Sequence, residues 1–379
     1  MIRKLNLLWL EGIFDENTVR SFPSLSAASN FWQVSFIESL IKHESTVDVV
    51  GFPAERAWPF GRLIMSRKNL VSPKSIGGSG LGYINLPFFR VAHQTILLLI
   101  WIIKYLIIKP IKPDYLVVYS CLVKSWTPTA PILVARIIRR FTGIPILCVV
   151  ADGSPPKGAD RYVYLAWSSY QLAEAQAPKL HLDGGVPVIE DYESRVHANK
   201  DIDKTIFMYI GGLAEHGGIN ELASAFATLQ SRNAELWICG RGDNDQLQEL
   251  ANREDRIKLM GFLDDDKLYE MAFRATFFVN PRPLGFDPNK LNFPSKLLLY
   301  LAFGKPVIST MSLGMSPEYS SVVIEIEDES EEALIRSLES AIHIDTDVYN
   351  GYCEKVVDFK ESHTWEMQVS NLIKWINAS

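Results

Sequence analysis

Residues 205–240 read TIFMYIGGLAEHGGINELASAFATLQSRNAELWICG. The apolar run 206–210 stops at Gly211-Gly212, a helix-length segment covers 220–229, and a second apolar run at 235–239 stops at Gly240. Short apolar runs closed by glycine and separated by helices are the pattern of strands buried on both faces of a parallel sheet. The pattern continues downstream. Strands are expected at 257–260, 276–280 and 306–309, with helices near 266–275 and 294–303. It also runs upstream, with strands expected at 5–10, 47–51, 115–119 and 146–151 and helices at 26–43, 90–109 and 128–141.

A chain of 379 residues suggests two domains. The polar stretch after Asp183-Gly184-Gly185 separates the two series of strands. The expectation is therefore two Rossmann-like α/β domains, 1–190 and 191–379, facing a cleft, with the final helices able to pack back on the first. Hydrophobic residues make up 47% and charged residues 22%, so each half can bury a core and disorder is not the theme. The net charge of −6 hides an asymmetry. Residues 1–190 hold 20 Lys and Arg against 13 Asp and Glu, whereas residues 51–150 alone hold 13 against 2. A basic first lobe suits an anionic partner, although solvated surface charge reads the same way.

Cys121, Cys148, Cys239 and Cys353 have neither CxxC nor zinc spacing and read as reduced thiols of a cytosolic protein. The run AHQTILLLIWIIKYLII at 92–108 falls short of a span of about 20 apolar residues and is broken by Lys104. It is expected to be buried or to lie at a membrane surface.

In open parallel sheets ligands bind beyond the carboxyl ends of the strands. That rule singles out Gly12, Asp152, Gly211, Gly240 and the loop at 280–296. In this loop, NPRPLGFDPNKLNFPSK, proline-rich backbone runs into a helix start carrying Ser295 and Lys296, with Arg282 before it. Free N–H groups, an ammonium and a planar guanidinium together suit phosphate oxygens. A capped surface helix with a solvated lysine is the plainer reading. Gly211-Gly212 lets backbone approach a diphosphate, or simply turns the chain. Asp152 before Gly153 is either a base for a hydroxyl proton or a turn residue, and Glu11 is equally ambiguous. His216 reads as a loop residue. Asp264-Asp265-Asp266 reads as a helix start, so no metal is expected.

The second half resembles the nucleotide-sugar lobe of glycosyltransferase family 4, of the GT-B fold. The similarity lies in Tyr209-Ile210-Gly211-Gly212-Leu213, Leu236-Trp237-Ile238-Cys239-Gly240, Gly261-Phe262-Leu263, and Asn280-Pro281-Arg282-Pro283. Phe293-Pro294-Ser295-Lys296, Gly304-Lys305-Pro306-Val307 and Pro317-Glu318-Tyr319 continue it. It covers about 205–325 and is similar to bacterial surface-polysaccharide transferases. The resemblance implies that Gly211, Gly212, Arg241, Phe262, Arg282, Ser295, Lys296 and Glu318 hold a nucleoside-diphosphate sugar. It places Asp152 near a His-Asp pair that family members carry at the cleft, with Ala151 in the His position. Glu11, the second candidate catalytic carboxylate, and Gly12, on the acceptor side, rest on their place after the first strand. The implied acceptor is a saccharide or lipid-linked saccharide. No cofactor and no nucleic acid are expected, and the thiols, the basic first lobe and the apolar run at 92–108 together suggest a place in the cytoplasm with a peripheral contact to the inner face of the membrane. Two departures stand out. Leu299 occupies the place of a family glutamate, and Gly212 and Gly217 occupy those of two basic residues. They leave a second reading open, a GT-B-like binding or scaffold subunit with impaired catalysis. A two-lobed epimerase or phosphorylase is a third, although no pyridoxal-phosphate lysine site is recognisable.

Overall fold

The computed structural model describes residues 4–378 except 16–17, 20–21, 23, 67–76, 121–128, 175–176, 190–191, 193–203 and 215–216. The chain divides into two compact units, Met1–Gly184 with Trp365–Ser379, and Gly185–Thr364. The boundary thus falls at 184/185, not at 190/191.

The first unit runs β1 (Asn6–Trp9), α1 (Ala27–Lys42), β2 (Thr46–Gly51), β3 (Ile64–Met65), β4 (Gly77–Gly80), β5 (Tyr83–Ile84) and α2 (Phe89–Ile108). It continues with β6 (Tyr115–Ser120), α3 (Ala130–Thr142), β7 (Ile146–Val150), β8 (Arg161–Tyr164), α4 (Trp167–Leu172) and β9 (Lys179–His181). β3 and β5 form a small antiparallel pair. The other strands make one parallel sheet in the order β4-β2-β1-β6-β7-β8-β9. Every residue of β6 and β7 is buried, as a sheet covered on both faces requires. Alternate side chains feed two cores. Trp9, Val117 and Val149 meet Trp32 and Phe36 of α1 on one face; Leu8, Leu116 and Ile146 meet Leu98, Ile102 and Ile138 on the other. The Ser26 hydroxyl starts α1 by accepting from the Ser29 N–H (3.2 Å), and Gly143, at φ 73°, ends α3.

The second unit runs β10 (Thr205–Ile210), α5 (Ile219–Thr228), β11 (Ala234–Cys239), α6 (Asp245–Arg253), β12 (Ile257–Gly261), α7 (Asp265–Arg274) and β13 (Phe277–Asn280). Then come α8 (Asp287–Lys290), α9 (Lys296–Ala302), β14 (Val307–Thr310), β15 (Val323–Ile326), α10 (Glu331–Ile342) and α11 (Thr346–Ser362). Its parallel sheet has the order β12-β11-β10-β13-β14-β15. Of the closing helices, α10 and α11 stay in this unit, whereas α12 (Trp365–Ala378) belongs to the first. Trp365 lies 5.7 Å from Trp32 and 6.5 Å from Phe36, ring centre to ring centre. Val369, Leu372, Ile373 and Ile376 complete that core.

α2 differs from expectation. It begins at Phe89 and spans 20 residues, and only Leu98, Ile102 and Tyr105 are buried. By length and composition it is long and apolar enough to cross a membrane.

Candidate functional site

In the second sheet, counting strands in chain order, the arrangement is third, second, first, fourth, fifth, sixth. Consecutive crossovers therefore part in opposite directions between β10 and β13, and beyond their carboxyl ends a crevice opens where α/β sheets bind nucleotides. β10 delivers Tyr209 and then Gly211 to that point, β13 delivers Arg282, and α9 brings Lys296. Tyr300 fixes α9 to the strand end. Its hydroxyl accepts from the Ile210 N–H and donates to the Ile210 carbonyl, both at 2.9 Å. Lys296 Nζ donates to Tyr209 Oη (2.8 Å) and lies 4.1 Å from the centre of that ring, while Tyr209 Oη donates to the Gly212 carbonyl (2.9 Å). Thr310 Oγ1 donates to the Arg282 carbonyl (2.7 Å), and Arg282 Nη2 donates to Asn292 Oδ1. Arg282 itself is only 8% exposed.

Two cations thus share an enclosed space. Burial of the ammonium and the neighbouring Arg282 charge hold Lys296 down to about 7. Burial likewise pushes the Tyr209 phenol up, against the pull of Arg282. Like charges gathered in a low-dielectric crevice are unfavourable alone and become favourable around an anion.

Glycine makes the crevice possible. A methyl group on Gly211 would sit 2.8 Å from Lys296 Nζ, and one on Gly240 would sit 1.7 Å from the Gly211 carbonyl oxygen. Gly218 combines φ +71° with a carbonyl, that of Pro281, 1.8 Å from where its Cβ would be. Gly218→Ala should therefore destabilise the protein by ~1–3 kcal/mol in denaturant melts, since left-handed backbone and a backbone clash coincide there. An unchanged midpoint would show that the loop accommodates a side chain.

The remaining candidates fall in different places. Arg241 and Phe262, at the ends of β11 and β12, meet each other, with the guanidinium 3.6 Å from the ring centre and the ring 53% exposed. The loops there are zipped by Leu213 N–H donating to the Arg241 carbonyl (3.0 Å) and Gly240 N–H donating to that of Gly261 (2.9 Å). Ser295 is exposed and caps nothing with its hydroxyl. α9 begins at Lys296, two residues later than expected. With seven residues it has a weak dipole, so the positive character comes from side chains rather than from the helix start. Glu318 is exposed on a 3₁₀ turn and accepts from Ser316 Oγ (2.7 Å). Asp264 caps α7, accepting from the Lys267 N–H (3.0 Å). His216 and Cys121 lie outside the described residues.

The first sheet has the same order with a seventh strand, β9, added at one edge, and its switch point lies between β1 and β6. Glu11 follows β1, and its enclosed carboxyl is pushed up to about 7, with the Gly12 N–H pulling the other way. The turn is tightly set, because a methyl on Gly12 would strike the Phe14 ring at 2.6 Å and one on Gly51 would lie 2.3 Å from the Glu11 carbonyl carbon. Asp152 is half-buried after β7, and Gly153 beside it has φ +73°.

Residues 204–343 match the family model described as Glycosyl transferases group 1. The match covers most of the second unit and none of the first. All the phosphate-side candidates, Gly211 through Glu318, lie within the match, whereas Glu11, Gly12 and Asp152 lie outside it. No curated protein sequence matches the chain. Among solved structures, a glycosyltransferase from Rickettsia africae is similar over 99% of this chain and 98% of its own, at 13% identity and a TM-score of 0.67. Anabaena HepE in complex with UDP and glucose is similar over 99% and 100%, at 13% identity and 0.65. Sucrose-phosphate synthase from Thermosynechococcus elongatus gives 99% and 99%, 13% and 0.66. These likenesses show the GT-B fold for the whole chain. The family match to the lobe supports a transferase.

Sequence reasoning missed Tyr209, Tyr300 and Asn292 as parts of the site. A tyrosine near the end of a buried strand and another in a buried helix face were the available signals, since each hydroxyl must find a partner.

Proposed function

We propose that the chain transfers a glycosyl group from a nucleoside-diphosphate sugar to a hydroxyl of a saccharide or lipid-linked saccharide in surface-polysaccharide synthesis. The observation that carries this reading is the Lys296–Arg282 pair at the switch point of the glycosyltransferase lobe. UDP with glucose on HepE supports a nucleoside diphosphate as the ligand. In the reaction the bond from the anomeric carbon to the phosphate oxygen breaks, and the diphosphate leaves with the electron pair. Lys296 and Arg282 stabilise that charge from positions set before the reaction. The acceptor oxygen bonds to the anomeric carbon, and its proton passes to a carboxylate, for which Glu11 and Asp152 are the candidates. Phe262, steadied by Arg241, offers an exposed ring to the base.

Leu299 favours a second reading, binding without transfer, because a half-buried leucine offers no acceptor for a sugar or ribose hydroxyl. Calorimetric titration with UDP, GDP and ADP, followed by sugar release from the matching donors, separates the two. Binding with release supports transfer, binding without release supports the second reading, and no binding removes both.

Nucleotide affinity should depend on pH. An anion raises the Lys296 pKa again, so binding takes up a proton, and affinity falls by up to about tenfold per pH unit from 7 to 9. Titrations in buffers of different ionisation enthalpy would show the uptake, and Lys296→Arg should abolish it. A flat profile in the parent would mean that Lys296 does not meet the phosphates.

A further inference from the structure

We propose that the outer stripe of α2 and the loop at 58–64 seat the first unit on an anionic lipid surface, with α2 lying flat rather than spanning. Phe89, Ile96, Ile100, Ile103 and Ile107 recur at helical spacing and are 46–77% exposed. Leu98, Ile102 and Tyr105 occupy the opposite face and enter the core. A helix of a soluble protein is ordinarily polar on the side away from the core, whereas this one has an apolar face that no described residue covers.

The loop extends the same surface. Phe60 is 84% and Ile64 72% exposed, and Phe88 holds its ring wholly in solvent at φ +62°. A bulky residue at positive φ is costly and is kept where surroundings or function require it. The fully buried Asn85 stitches the loop to the start of α2. Its side chain donates to the carbonyls of Arg56 (2.6 Å) and Arg62 (2.9 Å), and its N–H donates to that of Leu63 (2.7 Å).

Charge selects the occupant. α2 carries no Asp or Glu, Lys104 flanks the exposed stripe, and Arg62 and Lys112 are exposed at its two ends. Against a second copy of the chain these cations would face their own kind, whereas anionic headgroups complement them. A span would require Leu98, Ile102 and Tyr105 to leave the core. It would also break the bonds from Tyr105 Oη (2.7 Å) and Lys109 Nζ (2.9 Å) to Asp48 on β2. Apolar side chains dipping into the headgroup boundary beside basic ones are the signature of a helix lying in the interface.

The test is flotation of the full chain with vesicles of phosphatidylcholine alone or mixed with phosphatidylglycerol. The parent should float with the anionic vesicles at low salt, be released at high salt, and stay behind with the neutral ones. Ile100→Asp with Ile103→Asp should lower the partition coefficient at least about tenfold, and Lys104→Glu with Lys112→Glu several-fold. Because the substituted side chains are exposed, circular dichroism and melting temperature should hold, and they guard against misfolding. Soluble-nucleotide binding should also hold, so failure here is distinguishable from failure of the donor site. Absence of flotation, binding indifferent to Ile100 and Ile103, or retention through an alkaline wash would overturn the proposal. So would lipid-free self-association abolished by the same variants.

Discussion

Glu11→Gln should lower turnover by ~10²–10⁴-fold with nucleotide affinity nearly unchanged, the loss expected when a general base is removed. The enclosed carboxyl sits near 7, so it is poised to take a proton at neutral pH. Glutamine preserves the shape of the turn with Gly12. The two titrations should also frame the pH profile of kcat/KM. Glu11 must be ionised, which favours pH above about 7, and Lys296 must be charged, which favours pH below it. A narrow bell near neutrality results, and the variant should lose its acid limb. Stability provides a control. Because the folded pKa of Glu11 is raised, its ionisation costs the native state stability as pH rises from about 4.5 to 7, and glutamine removes that cost. The variant should therefore melt at or above the parent temperature at pH 8 while being nearly inactive. Turnover within a few-fold of the parent would pass the role to Asp152, to be tested as Asp152→Asn. If neither substitution matters, no carboxylate of the first unit is the base.

Lys296→Ala should weaken nucleotide binding by ~1.5–3 kcal/mol, about ten- to 150-fold, the range for a hydrogen bond to a charged partner. Arg282→Ala should act in the same direction. Its interpretation needs Arg282→Lys alongside, because the guanidinium also donates to Asn292. Lys296→Met tests whether the lysine is there for binding. A lysine whose folded pKa is lowered costs stability at neutral pH, and that cost fades between about 7 and 10.5 as the unfolded chain keeps the proton longer. Methionine should thus raise the melting temperature at pH 7 while impairing binding. Unchanged dissociation constants for both Lys296→Ala and Arg282→Ala would move the phosphates elsewhere.

What could be read from the sequence follows from how parallel strands bury. β6, β7, β10 and β11 sit inside sheets covered on both faces, so each appears as an uninterrupted apolar run ended by a turn. β9, with the sequence KLH, is the edge strand, where polar residues are tolerated, and β8, with RYVY, is next to it and only four residues long, so neither leaves such a run. β4 is Gly77–Gly80, whose composition argues against a strand at all. α2 defeated periodicity for the opposite reason, since a helix apolar on its buried and exposed faces has no polar stripe to betray which is which.

In the site, glycine turns and basic side chains were legible because their residue types are scarce and directional. Convergence was not. Lys296 meets Tyr209 across 87 positions, and Arg282 meets Asn292 only because the loop folds on itself. The raised Glu11 carboxyl depends on burial by residues far along the chain, and Gly51 packs against the Glu11 backbone from outside any local window.

α12 gives the first unit a particular biography. Its core holds Trp32 and Phe36 from near the start of the chain and Trp365, Val369, Leu372 and Ile376 from near residue 378. During synthesis this half must therefore wait, with an aromatic groove uncovered, while residues 185–364 emerge and the whole second unit can form. The part begun first is closed last. A fragment ending at residue 184 would keep the groove uncovered, making it a sticky reagent for isolating the first unit.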